Sequence, residues 1–219
     1  MKRSIRRNAP LGVIAALLLS LTGCQALGVL MYKTAGDPDI PAQYELPQKK
    51  ALVFAENFRH NSIAADDAEL LGRLINARLS QQNLVPLVGH EKLLELKATN
   101  QAAYRKMTIV EIAQKLGAEQ VIYVHLQSGG VSSMGGGSIK QGKASVLVRV
   151  IDVKTGENAW PTGIEDGRLL ATETNPATTG SKPESEIRLK MYDDLSMQVV
   201  RLFHKWKPDS SDTDGRYQP

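Results

Sequence analysis

Residues 112–126 read IAQKLGAEQVIYVHL, a passage in which the apolar residues change from helical to extended spacing across one glycine. Just upstream, Thr108-Ile109-Val110-Glu111 has the form of a capping box, in which the Thr and Glu side chains each satisfy a free backbone donor of a first helical turn. Ile109, Ile112, Ala113 and Leu116 then make one buried stripe. Gly117 ends the helix in the left-handed conformation that glycine adopts at least cost. Residues 120–127 follow as a strand, apolar on one alternation (Ile122, Val124, Leu126) and mixed on the other (Val121, Tyr123, His125). One face of the sheet is therefore expected to be more deeply covered than the other.

The same exchange of helix and strand extends in both directions. Residues 49–58 (KKALVFAENF) read as a buried strand. A helix follows, with Asp66, Asp67 and Glu69 in its first turn, where acids suit the positive end of the helix dipole. Ala68, Leu71, Ile75 and Leu79 recur along it at helical spacing. Residues 84–88 read as a second short strand, with Pro86 marking an edge or a bulge, and residues 90–96 as a short helix. Beyond the central passage, residues 128–142 hold six glycines and read as a flexible hairpin connection. Residues 143–153 form a further strand, and Lys154-Thr155-Gly156-Glu157 turns into a short one ending at Trp160. Ser181-Lys182-Pro183-Glu184 resembles a second capping box, opening an amphipathic helix with Tyr192, Leu195, Val199, Leu202 and Trp206 along one side. The expected fold is α/β, bordering on α+β, in one domain: a mixed sheet of four to five strands packed by helices, with the amphipathic helix last.

Composition narrows the class. The chain has 219 residues, 42% of them hydrophobic, which is ordinary globular content. Its single cysteine, Cys24, excludes an internal disulfide framework and an all-cysteine metal site. The net charge is +4. Lys2, Arg3, Arg6 and Arg7 account for all of it, and they stand before any acid in the chain.

Those four residues open a basic segment followed by an apolar run, residues 11–21, and then by small residues, the pattern of an export signal. Leu21-Thr22-Gly23-Cys24 resembles the lipobox of bacterial lipoproteins. That resemblance implies cleavage between Gly23 and Cys24 and lipidation of Cys24 by palmitate-type chains, each buried methylene contributing about 0.8 kcal/mol to anchoring. The alternative is an uncut signal anchor, since residues 11–31 carry no charge and roughly 20 apolar residues cross a bilayer. Either reading puts the body outside the cytoplasm. Residue 25 is Gln and not Asp, which in lipoproteins of proteobacteria resembles the pattern sorted to the outer rather than the inner membrane. Residues 24–48, with Pro38, Pro41 and Pro47, read as a lipid-anchored tether of at most about 80 Å. Residues 49–207 are then the folded domain and 208–219 a disordered tail.

Chemistry-bearing motifs fail one by one. Residues 137–144 (GSIKQGKA) space their glycines and lysine like a phosphate-binding loop, but Ala144 stands where a hydroxyl is needed and a strand follows in place of a helix. His60, His90, His125 and His204 share no metal-ligand spacing. The acid pairs Asp66/Asp67, Glu165/Asp166 and Asp193/Asp194 read as solvated surface. Basic clusters with interleaved aromatics are lacking, so no nucleic-acid partner is expected. No catalytic residue, metal or cofactor is expected, and the protein reads as a non-enzyme.

The strand ALVFAENF, the passage IAQKLGAEQVIYVHL and the turn DVKTGE resemble envelope lipoproteins that share an α/β domain, the LpoB-type penicillin-binding-protein activators and CsgG-like lipoproteins. The resemblance implies a binding or adaptor module in envelope assembly or maintenance, with another envelope protein as partner. The alternative is a structural homo-oligomer of a CsgG-like secretion or membrane assembly. The possible partner surface is placed at Gly135, Gly136 and Gly137 and at the edge near Trp160, the features that packing explains least.

Overall fold

The apolar run near residue 50 forms strand β1 (Ala51–Glu56), whose first four residues are all buried, as in a strand covered on both faces. It pairs in parallel with β2 (Gln120–Met134), from Ala51 opposite Gln120 to Glu56 opposite His125. A parallel pair requires a crossover. Helices α1 (Ala65–Gln82), α2 (His90–Thr99), α3 (Gln101–Tyr104) and α4 (Ile109–Lys115) provide it. β2 returns antiparallel as β3 (Ile139–Asp152). The other side of β3 carries three short strands in series: β4 (Asn158–Trp160), β5 (Arg168–Glu173) and β6 (Ala177–Thr178). Helix α5 (Glu184–Arg201) follows. The computed structural model of the chain describes residues 39–57, 65–178 and 181–208, within which Pro41–Trp206 is one compact unit. The expected export signal, the cleavage point at Gly23, the lipidation site Cys24, most of the tether, nearly all of the tail and His60 lie outside the described residues.

Strand alternation sends side chains to two cores. On the first face Val53, Ile122, Val124, Leu126, Val146, Val148 and Val150 meet Leu71, Ile75 and Leu79 of α1 and Met191, Tyr192, Leu195 and Val199 of α5. On the second face Leu52, Phe54, Val121, Tyr123, Ile151 and Val153 meet Leu93 of α2 and Ile112 and Ala113 of α4. The capping box at Thr108 and Glu111 is present, and Gly117 has φ +68°. Charge ties α1 to α5 as well. Arg188 reaches Asp66 at 2.9 Å and Asp67 at 2.5 Å, while Arg78 pairs with Asp193 and donates to Ser196 Oγ at 2.9 Å.

Several expectations need correction. The sheet has six strands, not four to five, because β5 and β6 form in a polar stretch too short to show a period. Residues 84–88 make only a single bridge, Leu87 to Ala51; Pro86 has no N–H to continue a ladder. The glycine-rich stretch is no loose connection: β2 and β3 stay paired from Ser128 opposite Ser145 to Met134 opposite Ile139. Gly129 and Gly142 let α5 come close, since a Cβ on Gly129 would stand 2.3 Å from Tyr192 Oη and one on Gly142 would stand 3.2 Å from Ile187 Cγ2. The second capping box is absent, because Pro183 is the residue before α5 and the Ser181 hydroxyl donates to Thr178 O at 2.6 Å. Asp67 is not solvated; it is 3% exposed beneath Arg188. The end of the expected tether is already packed: Leu46 is buried, and the N–H groups of Gln43 and Tyr44 both donate to Leu202 O.

Candidate interaction surface

Helices α2 and α4 cover the second face of the sheet only as far as Tyr123. Among the described residues the face is open past that point, and Glu56, Tyr123, His125, Gln127, Leu147, Arg149 and Asp166 line a cleft of about 340 Å³. Register explains the grouping. Glu56 lies opposite His125, Tyr123 opposite Arg149, His125 opposite Leu147, and Leu147 opposite Leu169. Residues opposite one another share a face, so four strands deliver these side chains to one place. The hydrophobic chain around each explains why the strands form at all: Arg149 sits in VLVRVID and Tyr123 in VIYVHL, where every other residue is a core valine, isoleucine or leucine.

The polar groups of the cleft hold each other in place. Tyr123 OH donates to the Glu56 carboxylate. Burial first, and then the Glu56 carboxylate, push the Tyr123 pKa well above that of an ordinary phenol, with Arg149 pulling the other way. Tyr123 is thus a fixed donor and not a base. The Arg149 guanidinium lies 4.5 Å from the Tyr123 ring centroid, a cation–π contact. One of its terminal nitrogens donates to Glu165 O at 3.4 Å, and its buried Nε has no hydrogen-bond partner among the described residues. Gln127 Nε2 lies 3.2 Å from His125 Nδ1. An amide nitrogen is a donor only, which makes Nδ1 the acceptor and puts the proton of a neutral ring on Nε2. Beside this cluster Leu169 is 59% exposed.

The residues singled out from sequence fall elsewhere. Gly135, Gly136 and Gly137 form the tip of the β2–β3 ribbon with φ of +58°, +69° and +93°, and among the described residues nothing beyond their immediate chain neighbours lies within 4 Å of where their Cβ would be. Trp160 is half-buried, stacked on Tyr44 at 6.0 Å and edge-on to Phe203 at 6.0 Å. Packing therefore accounts for it. The structure does not bring the two together: Trp160 pairs with Val150, eleven residues along β3 from Ile139, roughly 37 Å in an extended strand. Gly142, Lys143 and Ala144 lie within β3, and Lys143 pairs with Glu173 at 2.8 Å. Of the described histidines only His125 reaches the cleft. The sequence gives Glu56, Tyr123 and Arg149 no functional mark and reads Asp166 as solvated surface; the available signal was Arg149, a charged residue inside an otherwise apolar strand.

No protein-family model matches the chain, and no match is found among curated proteins. Several solved structures have a similar fold. A lipoprotein from Neisseria meningitidis is 15% identical, with 69% of this chain and 96% of that one covered at a TM-score of 0.43. The PelC dodecamer from Paraburkholderia phytofirmans is 15% identical over 76% of this chain and 96% of its own, with a TM-score of 0.40. The LpoB C-terminal domain from Escherichia coli is 18% identical over 67% and 93%, with a TM-score of 0.37. What is similar is the fold.

Proposed function

We propose that this protein is a lipid-anchored, non-catalytic binding module of the bacterial envelope, held at Cys24 with its body in the periplasm, on the outer-membrane side. It engages another envelope protein through the open half of the sheet. The anchor rests on the export signal and on Leu21-Thr22-Gly23-Cys24. The binding role rests on one observation: no described residue covers the second face where Glu56, Tyr123, His125 and Arg149 form an ordered polar cleft with exposed Leu169 beside it.

Photo-crosslinking in intact cells tests this directly. A photoreactive residue at Gln127, in the cleft, is expected to capture one discrete envelope protein. The same residue at Lys115, exposed on α4, is expected to capture none. Equal capture from both positions, or none from Gln127, counts against the proposal. Replacing Cys24 by Ser is expected to abolish palmitate labelling, and continued labelling contradicts the anchor.

A further inference from the structure

Arg149 is a half-buried cation for which the described residues supply no anion. A guanidinium carries five N–H donors in a rigid fork. Among the described residues one hydrogen bond uses them, the 3.4 Å contact to Glu165 O, and the buried Nε has no acceptor. Arg78 and Arg188 are also half-buried, yet they rest on Asp193 and on Asp66 and Asp67. Arg168 lacks an acid too, but it lies opposite Val148 and so on the first face, away from the cleft.

The two acids that line the cleft do not fill the gap. Glu56 accepts the Tyr123 hydroxyl. Asp166 is exposed on the turn between β4 and β5, and neither acid forms an ion pair with Arg149. A partly desolvated charge without a counter-charge costs free energy. That cost is recovered when an anion arrives from outside the chain.

We propose that the partner of this cleft supplies the anion: the side-chain carboxylate of an acidic residue, seated on the N–H donors of Arg149 that the chain itself leaves open. The proposal rests on the cleft being a protein-binding site, and it names what the bound protein presents there. Fork and carboxylate are both planar and pair through two parallel hydrogen bonds, a strong arrangement for opposite charges. Tyr123 and Leu147 form apolar walls, and attraction between charges is stronger where water is displaced. The ring of Tyr123, 4.5 Å from the guanidinium carbon, holds the fork in place before the partner arrives, so little side-chain freedom is lost on binding. Because Glu56 and Asp166 line the same cleft, repulsion rises with the charge of the incoming anion. A singly charged carboxylate is repelled less than a phosphate monoester, which carries about −1.5 to −2. A basic residue fits worse, since it would set its charge beside Arg149 while Glu56 is already engaged by Tyr123.

Two measurements test this. With the full chain in detergent, the Arg149 Nε–Hε resonance is followed by NMR as a blocked Ala-Glu-Ala tripeptide, its Ala-Gln-Ala counterpart or inorganic phosphate is added. The Glu peptide is expected to shift the resonance saturably, with at least roughly tenfold tighter binding than the Gln peptide. No shift with the Glu peptide, an equal response to the Gln peptide, or a stronger one to phosphate, as a headgroup or phosphorylated residue would present it, overturns the inference. In intact cells, capture from a photoreactive residue at Gln127 is compared in the wild type, Arg149→Lys and Arg149→Gln. Lysine keeps the charge but not the fork, so Arg149→Lys is expected to keep about a tenth of the adduct and Arg149→Gln less, with circular dichroism unchanged. Wild-type yield from Arg149→Gln overturns the inference and leaves the cleft a protein-binding site. No capture from Gln127 in the wild type overturns that reading, and the inference with it.

Discussion

Replacing Gly129 with Ala tests the close approach of the β2–β3 ribbon to α5. The added methyl would lie 2.3 Å from Tyr192 Oη and 3.3 Å from Cζ. Tyr192 is fully buried and cannot swing into solvent. Overpacking of this kind costs about 1–3 kcal/mol. For a unit of this size each kcal/mol moves the thermal midpoint by about 2–4 °C, so Gly129→Ala should unfold about 4–8 °C earlier, taking the middle of that range. Circular dichroism at 222 nm reads the transition. The decisive step is the double mutant. Tyr192→Phe removes the atom in conflict, and alanine is otherwise the better strand residue by roughly 0.5–1 kcal/mol. In that background Gly129→Ala should cost less than about 0.5 kcal/mol. An equal cost in both backgrounds would refute the reasoning, because the strain would then not lie at Tyr192.

Other outcomes follow from the same structure. Arg188→Ala leaves the Asp67 carboxylate buried without its cation and should cost about 2 kcal/mol in chemical denaturation, whereas Asp66→Ala, on an acid 73% exposed at its side chain, should leave the denaturation midpoint nearly unchanged. Thr108→Ala removes the oxygen that accepts from Glu111 N–H at 3.2 Å and should cost about 1 kcal/mol. Burial holds the His90 pKa below its ordinary 6.5, against the raising effect of Glu69. Its neutral form therefore stabilises the fold fully above about pH 6.5. That stability is lost as pH falls from there through the lowered folded value, since the unfolded chain takes up the proton first. The thermal midpoint should drop more between pH 7.5 and 5.5 in the wild type than in His90→Gln, and parallel curves would contradict this.

Legibility followed the range of the interactions. The helix at 109–115, its box at Thr108 and its stop at Gly117 are written in a dozen neighbouring residues, and they stand as read. So does the stripe of α5 from Tyr192 to Val199, because its period is local; Leu202 and Trp206, expected on the same stripe, are buried but lie past the end of the helix at Arg201. Gly129 and Gly142 were misread for the opposite reason: a glycine that admits a helix from fifty residues away looks the same in sequence as one that loosens a loop. Asp67 looked solvated beside Asp66 until Arg188, more than a hundred residues on, covered it. β5 was invisible because six residues next to a long β3 need no strong pattern of their own. The cleft required the register of β1, β2 and β3 together. Only then do Glu56, Tyr123 and Arg149 become neighbours, although Arg149 inside VLVRVID was a visible departure from an apolar run.

The central claim is that the open half of the sheet is a partner surface. Crosslinking from Gln127 in intact cells, repeated in an Arg149→Glu background, tests it most directly. Arg149 carries the cleft's one cation over Tyr123. Reversing its charge should abolish the adduct while the protein's circular dichroism and its membrane fraction stay as in the wild type. An adduct that persists at wild-type yield would contradict the account.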